Sequence, residues 1–380
     1  MKKIKSFILA AMAFALAAPV FTACSSSDDN KNNETVENII SEFSVNDKKV
    51  AAQKAASKKN EAVLLIAFGS TWNNAFLAFD ETIKAYEKAF PNADVYISFS
   101  SDICINRASV GENYDDNGNI VRRDYYEPRY LLHAIGAAKY SKIYVQSLQV
   151  IPGEEFAAVV ASVKKFMNNG YIGDAHLDDA YLAKLAEDEA IFFGMPLLND
   201  PDVDVPAVAT ELHKLYGAEA QNGVVAFMGH GNPDNYDTFK ANVRYTQLET
   251  ALKAKNPNYF VGTVDMPDNL KIDVLGRMRD QNLNNGKIYL HALMSIAGDH
   301  AHNDMAGEGE EYWPHATNPE HEENSWFEFF KHAGYEVSVP VTNKHPLGLL
   351  ELEGVRNIWI NHTKNAEFLE DAYHSMYPEE

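Results

Sequence analysis

Three apolar runs, each stopped by glycine or a polar cluster, set the frame of this chain. Val63 to Phe68 breaks at Gly69-Ser70-Thr71, Val224 to Met228 breaks at Gly229-His230-Gly231, and Ile288 to Leu293 leads into Gly298-Asp299-His300. Runs that are apolar at nearly every position, instead of alternating, predict strands buried on both faces. After the first run, Phe76, Phe79, Ile83, Tyr86 and Phe90 recur at steps of three and four, so they mark one face of a helix stopped at Pro91. Val95 to Phe99 is the next strand. Strand, helix, strand at this spacing predicts parallel βαβ units. The same grammar continues with strands at Ala190 to Leu197 and Tyr259 to Val264. It places helices at Leu177 to Glu187, at Val205 to Tyr216, along Tyr236, Phe239, Val243, Leu248 and Leu252, and from about Val355 to Tyr373.

The pattern repeats. K-I-Y-V-Q-S-L-Q-V-I-P-G-E-E-F from Lys142 matches K-I-Y-L-H-A-L-M-S-I-A-G-D-H-A from Lys287 without gaps. Gly69-Ser70-Thr71 pairs with Gly229-His230-Gly231, each following an apolar strand. Two matched pairs in one order predict two similar Rossmann-like α/β domains with parallel sheets and a cleft between them. We place them at 60–217 and 218–354, with a C-terminal helix at 355–375 packing back on the first. In this alignment His230 faces Ser70 and His300 faces Glu155, so the halves share a frame and differ in chemistry.

Ahead of the domains, Lys2, Lys3 and Lys5 precede the apolar run Phe7 to Phe21, which ends in Thr22-Ala23-Cys24. This predicts an export signal over 1–23, with Cys24 lipidated after cleavage. Acyl chains would then anchor the protein to the cell envelope, at about 0.8 kcal/mol per buried CH₂. Residues 24–59 read as a flexible tether, because large apolar residues are few. The formal charge of −21 argues against nucleic acid as a partner. Only Cys24 and Cys104 exist, so a metal would fall to His and carboxylates.

Candidate chemistry gathers at strand ends. His230 sits between two glycines, and His300 and His302 stand among Asp299, Asn303 and Asp304. Neutral imidazole beside carboxylate suits a divalent transition metal. Asp265, at the end of a third strand, would complete a His₂-carboxylate set; alone, it reads as a helix cap. Glu154 and Glu155 open a helix, where the dipole favours them whatever their role. Arg107, Arg122, Arg123 and Arg129, with Tyr125 and Tyr126, form a basic and aromatic stretch able to bind carboxylates or simply to pair with Asp124 and Glu127. No Walker lysine follows Gly69-Ser70-Thr71 and no G-x-G-x-x-G follows a strand, so no nucleotide site is expected.

These stretches resemble the anaerobic, ATP-independent sirohydrochlorin cobaltochelatases of the class II chelatase superfamily, related in fold to ferrochelatase. The resemblance is carried by L-L-I-A-F-G-S-T (64–71), V-Q-S-L-Q-V-I-P-G-E-E (145–155), F-M-G-H-G (227–231), V-G-T-V-D (261–265) and A-G-D-H-A-H-N-D-M-A-G (297–307). It implies a divalent metal as substrate, Co²⁺ first and Fe²⁺ or Ni²⁺ next, inserted into a tetrapyrrole. It implies metal binding by His230 and His300, with Asp265 where relatives carry Glu, and Gln149 where the family commonly has His. Glu155 or an imidazole would accept pyrrole protons, and Ser70 and the four arginines would hold the substrate's carboxylates. The export signal favours a location in the cell envelope. It leaves two alternatives: a haem- or tetrapyrrole-binding lipoprotein of this fold, or a metallohydrolase. A homo-oligomer is compatible with all three.

Overall fold

Glu61–Ala67 (β1), Ala93–Phe99 (β2), Lys142–Ser147 (β5) and Ile191–Gly194 (β6) form the parallel part of the first sheet. The computed structural model describes residues 36–111, 113–114, 117–171, 175–237, 239–308 and 324–368. The export signal and Cys24 lie outside those residues. Between the first strands run Asn73–Ala89 (α2), Asp102–Val110 (α3), the hairpin strands Asn113–Tyr114 (β3) and Ile120–Val121 (β4), Pro128–Ala137 (α4), Glu154–Met167 (α5) and Asp179–Glu187 (α6). Asp204–Asn222 (α7) crosses to the second sheet. That half contains Val224–Gly229 (β7), Val243–Lys253 (α8), Tyr259–Thr263 (β8), Lys271–Asp280 (α9), Gly286–Ala292 (β9), Trp326–His332 (α10) and Tyr335–Ser338 (β10). Glu353–Lys364 (α11) then leads to Glu367–Phe368 (β11), which closes the first sheet antiparallel to β6.

The sheet orders are β11-β6-β5-β1-β2 and β10-β9-β7-β8, so β6-β5-β1-β2 has the same layout as β10-β9-β7-β8. The α/β class and the parallel sheets are as the apolar runs predict. Burial explains the runs: Val63, Leu65 and Ala67 face one core while Ala62, Leu64 and Ile66 face another. The first of these cores is continuous between the two sheets, joining β1 and β2 to Val225, Phe227 and Val261 through helices α2, α7, α8 and α11. A separate outer core backs each sheet.

Hydrogen bonds correct the alignment of the repeat. Leu148 N–H donates to Ile66 O as Leu293 N–H donates to Met228 O. Ser101 N–H donates to Phe68 O as Asp265 N–H donates to His230 O. The counterpart of His230 is therefore Phe68, not Ser70, and that of Asp265 is Ser101. Gly69 and Gly231 then coincide, both with positive φ.

Three elements differ from expectation. The segment taken as a tether contains a helix, Val36–Ser57 (α1). Its Phe43 packs edge-on against Tyr130, His133 and Tyr171. Lys54 Nζ donates to Ala138 O and Lys139 O at the end of α4, at 2.9 and 2.8 Å, where a cation complements the helix terminus. Buried Phe43, Asn46 and Val50 share one face of α1, and so thin a stripe in polar sequence resembles a linker. The amphipathic stretch from Tyr236 starts its α-helix only at Val243, after a short 3-10 turn. The last helix stops at Lys364, where the chain turns into β11. No helix among the described residues is long and apolar enough to cross a membrane.

Candidate metal centre

Gly229 and Gly231 shape the tip of β7. A side chain at Gly229 would collide with the Tyr245 ring, and Gly231, at φ +80, lies against the backbone of Met266. The Tyr245 hydroxyl accepts the Gly231 N–H at 3.4 Å. This turn delivers His230 one-third exposed. The β9 tip passes Gly298 and enters a single π-helical turn, Ala301–Met305, which His300 precedes. Such turns recur at functional sites because they re-aim side chains out of helical register.

The two imidazoles meet. Their ring centroids lie 4.8 Å apart at an interplanar angle of 79°. His230 Nδ1–H donates to the Gly231 carbonyl at 2.7 Å, and His300 Nδ1–H donates to the Asp304 carboxylate. With both Nδ1 atoms engaged as donors, each Nε2 carries a lone pair, the arrangement in which a metal-binding His is oriented by the bond at its other nitrogen. Burial pulls the His300 pKa down, but the Asp304 hydrogen bond and the charges of Asp304, Asp265 and Asp299 outweigh it, so it sits above the usual imidazole range.

Asp265 does not complete the pair. Its Oδ2 is 3.7 Å from His230 Nδ1, the nitrogen already bonded to Gly231. Among the described residues no three His, Cys, Asp or Glu side chains converge to hold an ion. The Asp265 carboxylate lies beside Nδ1 of His230 and acts on His300 through its charge. His302 is excluded too: it is 3% exposed, its Nδ1 engages Glu308 at 2.9 Å, and its ring stacks on Trp72.

The β5–α5 loop reaches this site from the first half. Asn232 Oδ1 accepts the Glu154 N–H at 3.3 Å, and the Asn232 side chain fills the space beside Gly153. Glu154 is the carboxylate that feels His230. Its pKa is raised by burial and by Glu155, against the opposing pull of His230. Glu155 is half-buried alongside and faces Tyr245, the residue under the His230 turn. Ser70 is buried against Gly298, and its Oγ accepts the Trp72 N–H at 3.1 Å, a structural position instead of a substrate contact.

Of the arginines, Arg123 pairs with Asp80 and Arg129 with Glu127, both at 2.8 Å, and Arg129 lies over the Tyr130 ring. Arg122 is exposed and packs its stem beside Gly111 at the end of α3, one turn from the half-buried Arg107. Two of the four, Arg123 and Arg129, already hold acids.

The family model for cobalt chelatase (CbiK) matches residues 61–367. The chain belongs to this cobalt chelatase family. It is 27% identical over 307 residues to the sirohydrochlorin cobaltochelatase CbiKC of Nitratidesulfovibrio vulgaris, covering 80% of this chain and 89% of that one. It is 25% identical over 257 residues to the sirohydrochlorin cobaltochelatase of Salmonella typhimurium, covering 67% and 83%. Membership implies a divalent metal and a tetrapyrrole as the substrates. Trp72 and Asp304, which position the His300 loop, were not singled out by spacing: an aromatic before a helix reads as core, and Asp304 reads as a cap.

Proposed function

We propose that this chelatase inserts Co²⁺ into sirohydrochlorin or a closely related tetrapyrrole without a nucleotide, as a lipid-anchored protein of the cell envelope. The observation that carries the reading is the His230–His300 pair, two Nε2 lone pairs at the tips of neighbouring strands β7 and β9. Two neutral nitrogens suit borderline cations such as Co²⁺, Fe²⁺ and Ni²⁺, and leave coordination positions open toward the macrocycle. Asp265, Asp299 and Asp304 raise the local concentration of cations. Insertion displaces two pyrrole N–H protons. Glu154, its pKa raised by burial and by its acidic neighbour, is placed to take one, with Glu155 beside it. Phe68, 42% exposed, stands at the strand-tip position that His230 occupies in the other half, and gives the first half an apolar surface there. Arg122, exposed and without an ion pair to another described residue, is the arginine most available to a substrate carboxylate.

Anaerobic incubation with sirohydrochlorin and Co²⁺, Fe²⁺ or Ni²⁺, followed by absorption, tests the proposal. Metal-dependent turnover fastest with Co²⁺ is expected, falling to background in His230→Ala and His300→Ala while each variant keeps its melting transition. Wild-type rates in both variants would remove the site assignment. A stoichiometric haem spectrum without turnover would instead favour a carrier, the reading that export recommends. Metabolic labelling with palmitate, lost in Cys24→Ala, tests the anchor.

A further inference from the structure

The loop that carries His300 belongs to the second half, yet the first half holds it on both sides of that residue. Asn74 Nδ2 donates to Ala297 O at 2.8 Å, Ser70 packs against Gly298, and Trp72 Nε1–H donates to the Asp299 carboxylate. Two residues beyond His300, the Trp72 indole stacks on His302 with centroids 3.7 Å apart and planes 1° from parallel. Among the described residues the buried His302 Nε2 has no hydrogen-bond partner. His230 itself is held by its own half, its carbonyl accepting the Val264 and Asp265 N–H groups, while Asn232, two residues on, meets Gly153 and Glu154 of the first half. Trp72 occupies the N-cap of α2 and makes no capping bond there, a position that ordinarily goes to Ser, Thr, Asp or Asn. The local choice is poor and the long-range contacts are specific.

We infer that Trp72 is the positioning residue that sets His300 against His230, so that the separation of the two metal-binding nitrogens follows the placement of one half against the other. This rests on the reading of the two imidazoles as the metal pair. Any shift of the first half drags Asp299 and His302 with Trp72, and His300 lies between them. His230 stays with the second half. The site would grip the metal ion when the halves are seated and loosen when they part.

The test is a Co²⁺ titration of the full chain without tetrapyrrole, read by the visible absorption of the bound ion, with KM for Co²⁺ and kcat measured separately. Trp72→Ala is expected to weaken Co²⁺ by about 10–100-fold, the range for losing a group that orients a metal ligand, and to raise KM more than it lowers kcat. Trp72→Leu, which keeps apolar bulk but neither stack nor donor, should show the same loss even if the alanine variant folds poorly. Trp72→Phe should recover most of the affinity. Wild-type affinity and spectrum in Trp72→Leu, alongside lost binding in His300→Ala, would overturn the inference and leave the His pair standing. Wild-type binding in His300→Ala and His230→Ala would instead remove the pair itself.

Discussion

Each imidazole is held through Nδ1, and this decides which chemistry Nε2 can do. A proton competes with a metal ion for that atom. Because burial is outweighed by Asp304, Asp265 and Asp299, His300 takes up its proton at a pH above 6.5 as the pH falls. Co²⁺ affinity should therefore be full on the alkaline side and begin to fall before an ordinary imidazole would titrate. Asp304→Asn removes the largest raising influence, so a pH titration of Co²⁺ binding should show the inflection displaced downward; an unmoved inflection would mean that Asp304 does not orient the ligand. The acids at the start of α5 divide differently. Glu154→Gln should lower kcat by about 10²-fold, within the usual range for a general base, and Glu155→Gln by less. Equal effects, or the reverse order, would return the proton to Glu155. His230 and His300 were legible in the sequence because glycine and acidic residues frame them. Spacing along a chain does not reveal that Asp265 will lie beside Nδ1 of His230, the nitrogen bonded to Gly231.

At the scale of elements, doubly buried strands were the most legible feature, since nothing else keeps Val63 to Ala67 apolar at every position. The Lys142 and Lys287 match marks β5 and β9 as counterparts, while Gly69-Ser70-Thr71 and Gly229-His230-Gly231 align two residues away from the ladder, which equates Phe68 with His230. Short hinges and caps carry no such periodicity, and α1 was lost for that reason. Its hold on the first half is a few large contacts, so the helix should be sensitive at single positions. Phe43, 5% exposed among Tyr130, His133 and Tyr171, is the clearest. Phe43→Ala should cost about 3–5 kcal/mol in chemical denaturation, the range for truncating a buried aromatic. A change below about 0.5 kcal/mol, normal for surface sites, would mean that α1 is not docked in solution.

Across the whole molecule, one core joins the two sheets while the loops at their carboxyl ends meet over the metal centre. A duplicated frame has kept its layout and divided its tasks. The second half contributes both imidazoles, and the first contributes Glu154, Phe68 and the indole that braces the His300 loop. The account stands or falls on where the ion binds. Crystals soaked anaerobically in Co²⁺ and measured at the cobalt absorption edge would locate it by anomalous scattering. The expected peak lies about 2.1 Å from Nε2 of both His230 and His300, the usual metal–imidazole distance. A peak at other side chains, or a single contact to one imidazole with the other turned away, would contradict it.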